Sequence, residues 1–346
     1  MRSLVIVISL VGCVTAIPER GYAWGEVGHM TVAKLAWPQL DKGQRKAAFD
    51  TLQQLPHLKR FLAAHPKPND VGEQEWLFLI AADWPDWVKG FKTAKKKGDK
   101  EGMEIFQDHI EDWHFFDIPF PFNFTGELPK PHELDIVKAL TTDLPTWHAD
   151  KNAAKRAKAL CWLLHLVGDI HQPLHCTTMF TDDFPKGDTG GNSQFARFER
   201  ASIELHGFWD ELPGHFTRPT DDKLAGYYEK VYRKVADNAM MLSRQDFERG
   251  KFAEQLKQAK PMSWAKESHD LGVNVAYKNG KLRAVFIDRE TPPHDASEMK
   301  RNAPALPDDY HDNALATANK QMALAGYRLA DRIGTVFPKM AGGKDN

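Results

Sequence analysis

Two pairs of histidine and aspartate with the same spacing stand in the middle of the chain. His165 and Asp169 are four residues apart, and His206 and Asp210 repeat that spacing. Residues four apart on a helix project from one face, as two ligands of one metal ion must. His175 follows the first pair after a short turn. The spacing therefore predicts a metal site to which both segments contribute.

The candidate ligands are imidazoles and carboxylates, with no thiolate among them. This set suits zinc or another first-row divalent ion in a hydrolytic site. One His–Asp pair is common by chance, but two pairs within about fifty residues, one beside a third histidine, favour metal binding. His171 falls off the face that His165 and Asp169 share, and we interpret it as a structural residue that supports a ligand.

Helices must position these side chains, because apolar residues recur at three- and four-residue spacing. The pattern predicts helices over 27–37, 42–55, 130–147, 151–170, 252–277 and 314–337, with Asp150 as the N-cap of the fourth. Strand signals are weak and cover 194–198 and a hairpin at Asn279-Gly280 flanking 281–287. Residues 180–193 are predicted to be a loop, and residues 289–307 are interpreted as a polar excursion. We expect an all-α fold, a single mostly helical domain with small β-hairpin excursions.

The composition is that of a soluble globular chain without a basic surplus. Of 346 residues, 42% are hydrophobic and 27% are charged, and the mean hydropathy is −0.51. Lys and Arg number 46 against 47 Asp and Glu, which gives a net charge of −1. Proteins that wrap duplex DNA through many phosphate contacts carry a basic excess. Any binding of nucleic acid must therefore rely on a local site.

The first 23 residues have the pattern of a secretory signal peptide. Arg2 precedes a mostly apolar run over 4–17, which is too short to span a bilayer. Cleavage after Ala23 would make Trp24 the first mature residue, and its free α-amino group would be available to a metal. The alternative is a lipoprotein box that anchors the chain at Cys13.

The predicted organisation is therefore a signal peptide over 1–23, a domain over 24–340 and a flexible tail over 341–346. The mature protein is expected to be secreted or periplasmic. Cys161 and Cys176 remain after cleavage, and their pairing in an oxidising compartment is left open.

Eight short motifs, spread over nearly the whole mature chain, resemble one known family. In order they are Trp24-Gly-Glu-Val-Gly-His29, Asp83-Trp-Pro-Asp86, Trp113-His114-Phe-Phe-Asp117, the segment from His165 to His175, Gly190-Gly191-Asn192, the segment from His206 to Asp210, Trp264-Ala-Lys-Glu267-Ser268 and Ala325-Gly-Tyr-Arg-Leu-Ala330. Together they resemble the zinc-dependent single-strand nucleases of the S1/P1 type, which occur in fungi and plants and have bacterial members.

The resemblance implies a mostly helical fold with three zinc ions per chain. It assigns Asp86, His114, His165 and Asp169 to the first zinc, the α-amine and carbonyl oxygen of Trp24 with His29 and the shared Asp169 to the second, and His175, His206 and Asp210 to the third. Asp83 competes with Asp86, which we prefer because Trp84-Pro85-Asp86 fits the family's Trp-x-Asp pattern.

The resemblance also implies roles for residues beside the metals. Asp86 and Asp169 would act in catalysis as ligands, and Lys89 as a cation that neutralises charge in the transition state. Phe115, Asp117 and Asn192 would bind substrate. A base stacks on an aromatic ring only when it is unpaired and unstacked, so such a pocket selects single strands without a basic groove.

The predicted function is that of a secreted zinc endonuclease. It would hydrolyse single-stranded DNA and RNA to 5′-phosphorylated products, with 3′-nucleotidase activity as an additional expectation. We expect a monomer without integral membrane association. The alternatives are a zinc phospholipase C, which has a similar ligand order and an all-α fold, and a non-catalytic zinc-binding protein.

Overall fold

The computed structural model describes residues 24–130 and 134–339. The predicted signal peptide with its cleavage site at Ala23, the alternative anchor at Cys13 and the tail over 341–346 lie outside these residues. Within the described part of the chain, no helix combines the length and apolar character that crossing a membrane requires.

Helices dominate the described residues, which confirms the predicted all-α class. The α-helices are α1 (Glu26–Ala36), α2 (Lys42–Leu52), α3 (Leu58–Ala64), α4 (Glu73–Ala81), α5 (Trp84–Lys89), α6 (Ala94–Lys97), α7 (Lys100–Phe106), α8 (Ile136–Lys138), α9 (Leu144–His148), α10 (Ala153–Asp169), α11 (Leu205–Glu211), α12 (Leu224–Leu242), α13 (Ala253–Leu256), α14 (Pro261–Leu271), α15 (Ala296–Arg301) and α16 (Tyr310–Val336). Two 3₁₀ helices, Glu111–His114 and Pro173–Cys176, and two π-helices, Ala139–Asp143 and Gly272–Ala276, matter for the site and its surroundings.

Two small sheets complete the fold. The strands are β1 (Pro119–Pro121), β2 (Thr178–Phe180), β3 (Gln194–Phe198), β4 (Ala201–Glu204) and β5 (Val285–Phe286). β1 pairs with β2 in parallel, while β3 lies between β4 and β5 and is antiparallel to both. The predicted strand over 194–198 is thus confirmed.

The core is built around α1, α10 and α16. α1 packs against α16 and α12, and α10 packs against α1, α2, α9 and α16. The approach of α16 to α1 is close, because a Cβ atom on Gly326 would lie 2.5 Å from the Cβ of Leu35. Along α10, every residue from Ala159 to Asp169 is buried, so the last turns of this helix are held on all sides.

The predicted helices over 27–37, 42–55, 151–170 and 314–337 correspond to α1, α2, α10 and α16. The N-cap of α10 was predicted wrongly, since the side chain of Asn152 accepts a hydrogen bond from the N–H of Lys155 at 3.2 Å. Asp150 instead accepts from the N–H of Asn152 at 2.9 Å, one step outside the helix. The helix predicted over 130–147 begins later, at Ile136.

Two further expectations were wrong. The helix over 252–277 is interrupted before α14, because Pro261 has no N–H to donate and occupies the first position of a new helix. Asn279 and Gly280 do form a turn, with φ values of 55° and 76°, but no hairpin flanks it in the described residues. β5 pairs with β3 instead, a partner that local patterns do not specify.

Candidate metal centre

Eight predicted ligands fall into three groups. Within each group, the ligand atoms lie within 4.8 Å of one another. The groups are His29, His165 and Asp169; Asp86, His114 and His165; and His175, His206 and Asp210. The first two share His165. All eight side chains lie on α-helices or 3₁₀ helices, so rigid elements from distant parts of the sequence converge here. The structure therefore brings together the side chains that the resemblance assigned to zinc.

Asp169 lies at the centre of the first two groups. Its Oδ1 is 3.3 Å from Nε2 of His29, and its Oδ2 is 3.1 Å from Nδ1 of His114 and 3.2 Å from Nε2 of His165. Two ligand atoms of a tetrahedral zinc ion, each about 2.0–2.1 Å from the metal, are roughly 3.3 Å apart. Each observed separation therefore fits a pair of ligand atoms that bind the same ion.

Backbone carbonyls orient most of these imidazoles. Nδ1 of His165 lies 2.8 Å from the carbonyl oxygen of Ala82, and Nδ1 of His206 lies 2.7 Å from that of Gly190. Nδ1 of His175 is likewise 2.6 Å from a carbonyl oxygen. Such contacts place the proton on Nδ1 and leave Nε2 as the metal ligand.

Several polar atoms in the groups are buried without a hydrogen-bond partner among the described residues. They are both ring nitrogens of His29, Nε2 of His114, Oδ1 of Asp86, Oδ1 of Asp169 and Oδ2 of Asp210. Buried polar atoms normally find partners, because a buried atom without a hydrogen bond costs about 1–3 kcal/mol. Divalent cations would satisfy one ring nitrogen of His29 and the three carboxylate oxygens, and the donor set fits zinc.

Burial also sets the protonation of the imidazoles. It lowers the pKa of His29 to about 4, and that of His114 and His206 to about 3. At neutral pH these rings are uncharged, which is the form that binds a metal. Burial raises the pKa of Asp86 to about 6, although the nearby charges of His165 and Lys89 oppose the shift. A bound cation would favour the ionised carboxylate.

Trp24 lies beside the first group. Its side chain is fully buried, and its Nε1 donates to the carbonyl oxygen of Gly168 at 3.0 Å, one residue before Asp169. The N–H of Gly25 donates to the carbonyl oxygen of Asp210 at 2.9 Å. The start of the predicted mature chain is therefore fixed against two segments that carry ligands.

The four predicted site residues that are not ligands line one cavity of about 540 Å³, together with His114, His175 and His206. They are Lys89, Phe115, Asp117 and Asn192. The hydroxyl of Thr178 donates to Oδ1 of Asp117 at 2.5 Å, which fixes that carboxylate. The amide of Asn192 donates to the carbonyl oxygen of Thr189 at 2.6 Å.

The glycines before Asn192 allow this loop to reach the site. Gly190 and Gly191 have φ values of 63° and 82°, a region that other residues rarely adopt. A Cβ atom on Gly190 would lie 2.4 Å from the carbonyl oxygen of Leu174, so only glycine fits. The loop thus packs on the 3₁₀ helix that carries His175, while its own carbonyl orients His206.

Asp83, the weaker candidate, lies outside the three groups. It forms a different cluster with Glu26 and His65. Glu26 already accepts hydrogen bonds from the hydroxyls of Tyr227 and Tyr228, at 2.7 and 2.6 Å. The guanidinium of Arg218 lies 3.9 Å from the same carboxylate. A cation is already present at this cluster, so we assign it no metal.

His171 is buried away from the three groups, in agreement with its interpretation as a structural residue. Its Nε2 accepts a hydrogen bond from Arg328 at 2.9 Å, and its Nδ1 is 2.7 Å from the carbonyl oxygen of Val167. Cys161 and Cys176 are buried free thiols in this structure.

Sequence reasoning missed Arg289 and Lys186, which also line the cavity. Arg289 belongs to the segment over 289–307, which was interpreted only as a polar excursion. Its proximity to the site depends on the pairing of β5 with β3, and nothing in the local sequence signals that pairing.

Comparison with known proteins agrees with the geometry. Residues 24–338 match the family described as S1/P1 Nuclease. Endonuclease 4 of Arabidopsis thaliana is 29% identical over 340 residues, which cover 95% of each chain. Endonuclease 5 of the same plant is 28% identical over 349 residues, covering 95% of this chain and 96% of the relative. Nuclease S1 of Aspergillus oryzae is 23% identical over 329 residues, covering 91% and 92%. The chain belongs to the S1/P1 nuclease family, whose members are endonucleases that act on single-stranded nucleic acids.

Proposed function

We propose that this chain is a zinc-dependent endonuclease that binds three zinc ions. Its substrates are single-stranded DNA and RNA, its products carry 5′-phosphates, and it also removes phosphate from 3′-nucleotides. The observation that carries the proposal is the set of three His/Asp groups, with their unpartnered buried atoms, beside a cavity lined by Phe115 and Asp117.

Zinc bound at these groups would supply Lewis-acid polarisation of the phosphate and activation of water at neutral pH. The protein's own residues then bind and orient the substrate. Phe115 offers a ring for stacking with an unpaired base, and Asp117, held by Thr178, can accept a hydrogen bond from a base amino group. The ammonium of Lys89, in the same cavity, balances negative charge on the phosphate.

Single-strand preference follows from this geometry. A base can enter the cavity and stack only after it has left a duplex, and unpairing costs energy that a single strand does not need. Because the chain has a net charge of −1, attraction of the phosphate must come from the loaded metal groups and a few local cations.

The experiment uses protein that begins at Trp24. We expect about three zinc ions per chain by mass spectrometry and EDTA-sensitive cleavage of single-stranded over duplex DNA. His165→Asn, which removes a residue shared by two groups, should lower the zinc content and abolish cleavage. The control is His294→Asn, at an exposed histidine outside the three groups. Full activity of His165→Asn would overturn the metal assignment. Three zinc ions without nuclease activity would favour the phospholipase alternative.

We also propose that the protein is a secreted or periplasmic monomer, processed after Ala23, and that the new α-amine of Trp24 binds zinc with His29 and Asp169. The buried position of Trp24 beside Gly168 supports the assignment of its amine to zinc. A protein with one extra serine before Trp24 should bind about one zinc ion fewer than the protein that begins at Trp24. Equal zinc content in the two proteins would exclude the amine as a ligand.

A further inference from the structure

A ladder of hydrogen bonds brings the polar segment after β5 to the wall of the cavity. In the antiparallel pair of β3 and β5, Gln194 is opposite Phe286, and the N–H of Ile287 donates to the carbonyl oxygen of Ser193 at 2.9 Å. Beyond this pair, the segment that follows residue 287 runs alongside the segment that precedes residue 193, which is the glycine loop. Arg289 therefore meets Asn192, and its Nη1 donates to Oδ1 of that amide at 2.9 Å.

The backbone that carries Arg289 is held in a defined turn. Oδ1 of Asp288 accepts hydrogen bonds from the N–H groups of Glu290 and Thr291, at 2.8 and 3.2 Å. Its Oδ2 accepts from the hydroxyl of Thr291 at 2.9 Å. An aspartate that bonds to the backbone two and three residues ahead is a recognised way to fix a turn. Hydrogen bonds therefore fix both the backbone around Arg289 and its guanidinium.

The guanidinium retains binding capacity. Arg289 is 39% exposed and lines the same cavity as Phe115 and His175. A guanidinium has five N–H donors, and the contact with Asn192 uses one. The carboxylate of Glu204 is 3.8 Å away, beyond hydrogen-bond distance. Arginine binds phosphate through two parallel hydrogen bonds, which suits an anion that enters the cavity.

We propose that Arg289 binds the 5′-phosphate of the nucleotide whose base occupies the Phe115–Asp117 part of the cavity. This inference rests on the proposed function. If the products carry 5′-phosphates, the nucleoside in that part of the cavity keeps its 3′ oxygen at the metal groups. Its 5′ oxygen lies at the other end of the sugar and continues the strand away from the metals. Arg289 thereby makes the enzyme favour polynucleotides over shorter substrates.

The test compares dinucleotides that differ in one terminal phosphate. Thymidylyl-thymidine has a single phosphate, which must lie at the metals, and its 5′-phosphorylated form adds the group that Arg289 would bind. We expect the wild type to have a kcat/KM about tenfold or more higher for the 5′-phosphorylated form, since a hydrogen bond to a charged group contributes about 1.5–3 kcal/mol. Arg289→Ala should remove this preference, and Arg289→Lys should restore part of it.

The matched control is Arg301→Ala, an exposed arginine of α15 in the same segment that does not line the cavity. It should keep the preference. If Arg289 only holds Asn192 in place, Arg289→Ala would lower kcat/KM for both dinucleotides by the same factor, and the proposal would be overturned. The 3′-phosphorylated dinucleotide is measured as a third substrate. If Arg289→Ala loses a preference for this form instead, the proposal would also be overturned, because the phosphate would be on the wrong side.

A binding measurement separates this inference from the proposed function. The probe is the 5′-phosphorylated dinucleotide in which CH₂ replaces the bridging 3′ oxygen, so that it cannot be hydrolysed. The slope of log Kd against log salt concentration should be about 0.7 smaller in Arg289→Ala than in the wild type, the value for one phosphate contact in a single strand. An unchanged slope overturns the role of Arg289. Absence of cleavage of any single strand by the wild type overturns the proposed function, whatever the slope.

Discussion

Asp169 is the side chain whose replacement best tests whether the first two metal groups share a ligand. Its two oxygens lie within 3.1–3.3 Å of His29, His114 and His165. Asp169→Asn keeps the shape but removes the charge. If one carboxylate serves two ions, this variant should lose about two zinc ions per chain. Asp210→Asn, in the separate third group, should lose about one.

The energetic consequence can be worked out for each variant. A ligand that binds only the folded state stabilises it by about 2.7 kcal/mol when its free concentration is a hundred times its Kd. At that zinc concentration, the zinc-dependent gain in the free energy of unfolding should fall by about 5 kcal/mol in Asp169→Asn and by about half as much in Asp210→Asn. Without metal, the cost of each variant is limited to lost hydrogen bonds, about 1–3 kcal/mol.

The assay measures zinc per chain after gel filtration and urea unfolding with and without added zinc. His294→Asn, at an exposed histidine, should match the wild type in both measurements. Equal losses of zinc from Asp169→Asn and Asp210→Asn would refute the reasoning, because Asp169 approaches imidazoles of the first two groups whereas Asp210 approaches only His206 of the third. The same holds if Asp169→Asn retains its zinc.

Three other predictions concern the surroundings of the site. Arg328→Met should lower the free energy of unfolding by about 3 kcal/mol in urea titrations, because it removes the buried donor to Glu267, to His171 and to the carbonyl oxygen of Gln255. Glu267→Gln should also be destabilising, because it leaves the charge of the buried Arg328 without its anionic partner. Gly190→Ala should lower the free energy of unfolding by at least about 1–2 kcal/mol from its positive φ alone, and it should reduce activity. Gly226→Ala should be neutral or stabilising, because a Cβ atom at this position of α12 would meet no other atom within 4 Å. Burial raises the pKa of Glu204 to about 7, so its contribution to stability is complete below about pH 4.5 and is lost as the pH rises through 7. Glu204→Gln should flatten the pH dependence of unfolding in this window by up to about 3 kcal/mol, and an unchanged dependence would show that Glu204 is not its source.

The features that were predictable from sequence are those with a local cause. The spacing of His165 and Asp169 placed them on one helical face, and α10 presents them in this way. The interruption before Pro261 also had a local signal, since proline favours the first turn of a helix. Asn152 and Asp150 are both good N-caps, and the choice between them depends on which residue begins the helical geometry.

The features that were not predictable depend on contacts between distant segments. Asp86 and His114 meet His165 only because α5 and a 3₁₀ helix pack against α10, and the family resemblance, not periodicity, identified them. Arg289 reached the cavity through two paired residues of β5, too short a strand for its pattern to be recognised. The local sequence at Asn279-Gly280 favours a hairpin, but β5 pairs with the distant strand β3 instead.

The two motifs near the end of the chain acquire a physical explanation in the structure. Arg328 of α16 donates to both oxygens of Glu267 in α14, at 2.7 and 3.0 Å, and its guanidinium lies over the ring of Trp264. It also donates to Nε2 of His171, which follows directly on α10. Burial and this guanidinium hold the pKa of His171 well below its usual range, so the ring stays neutral and can accept. Because Asp169 ends α10 only two residues earlier, these contacts from the far end of the chain hold in place the turn that follows Asp169.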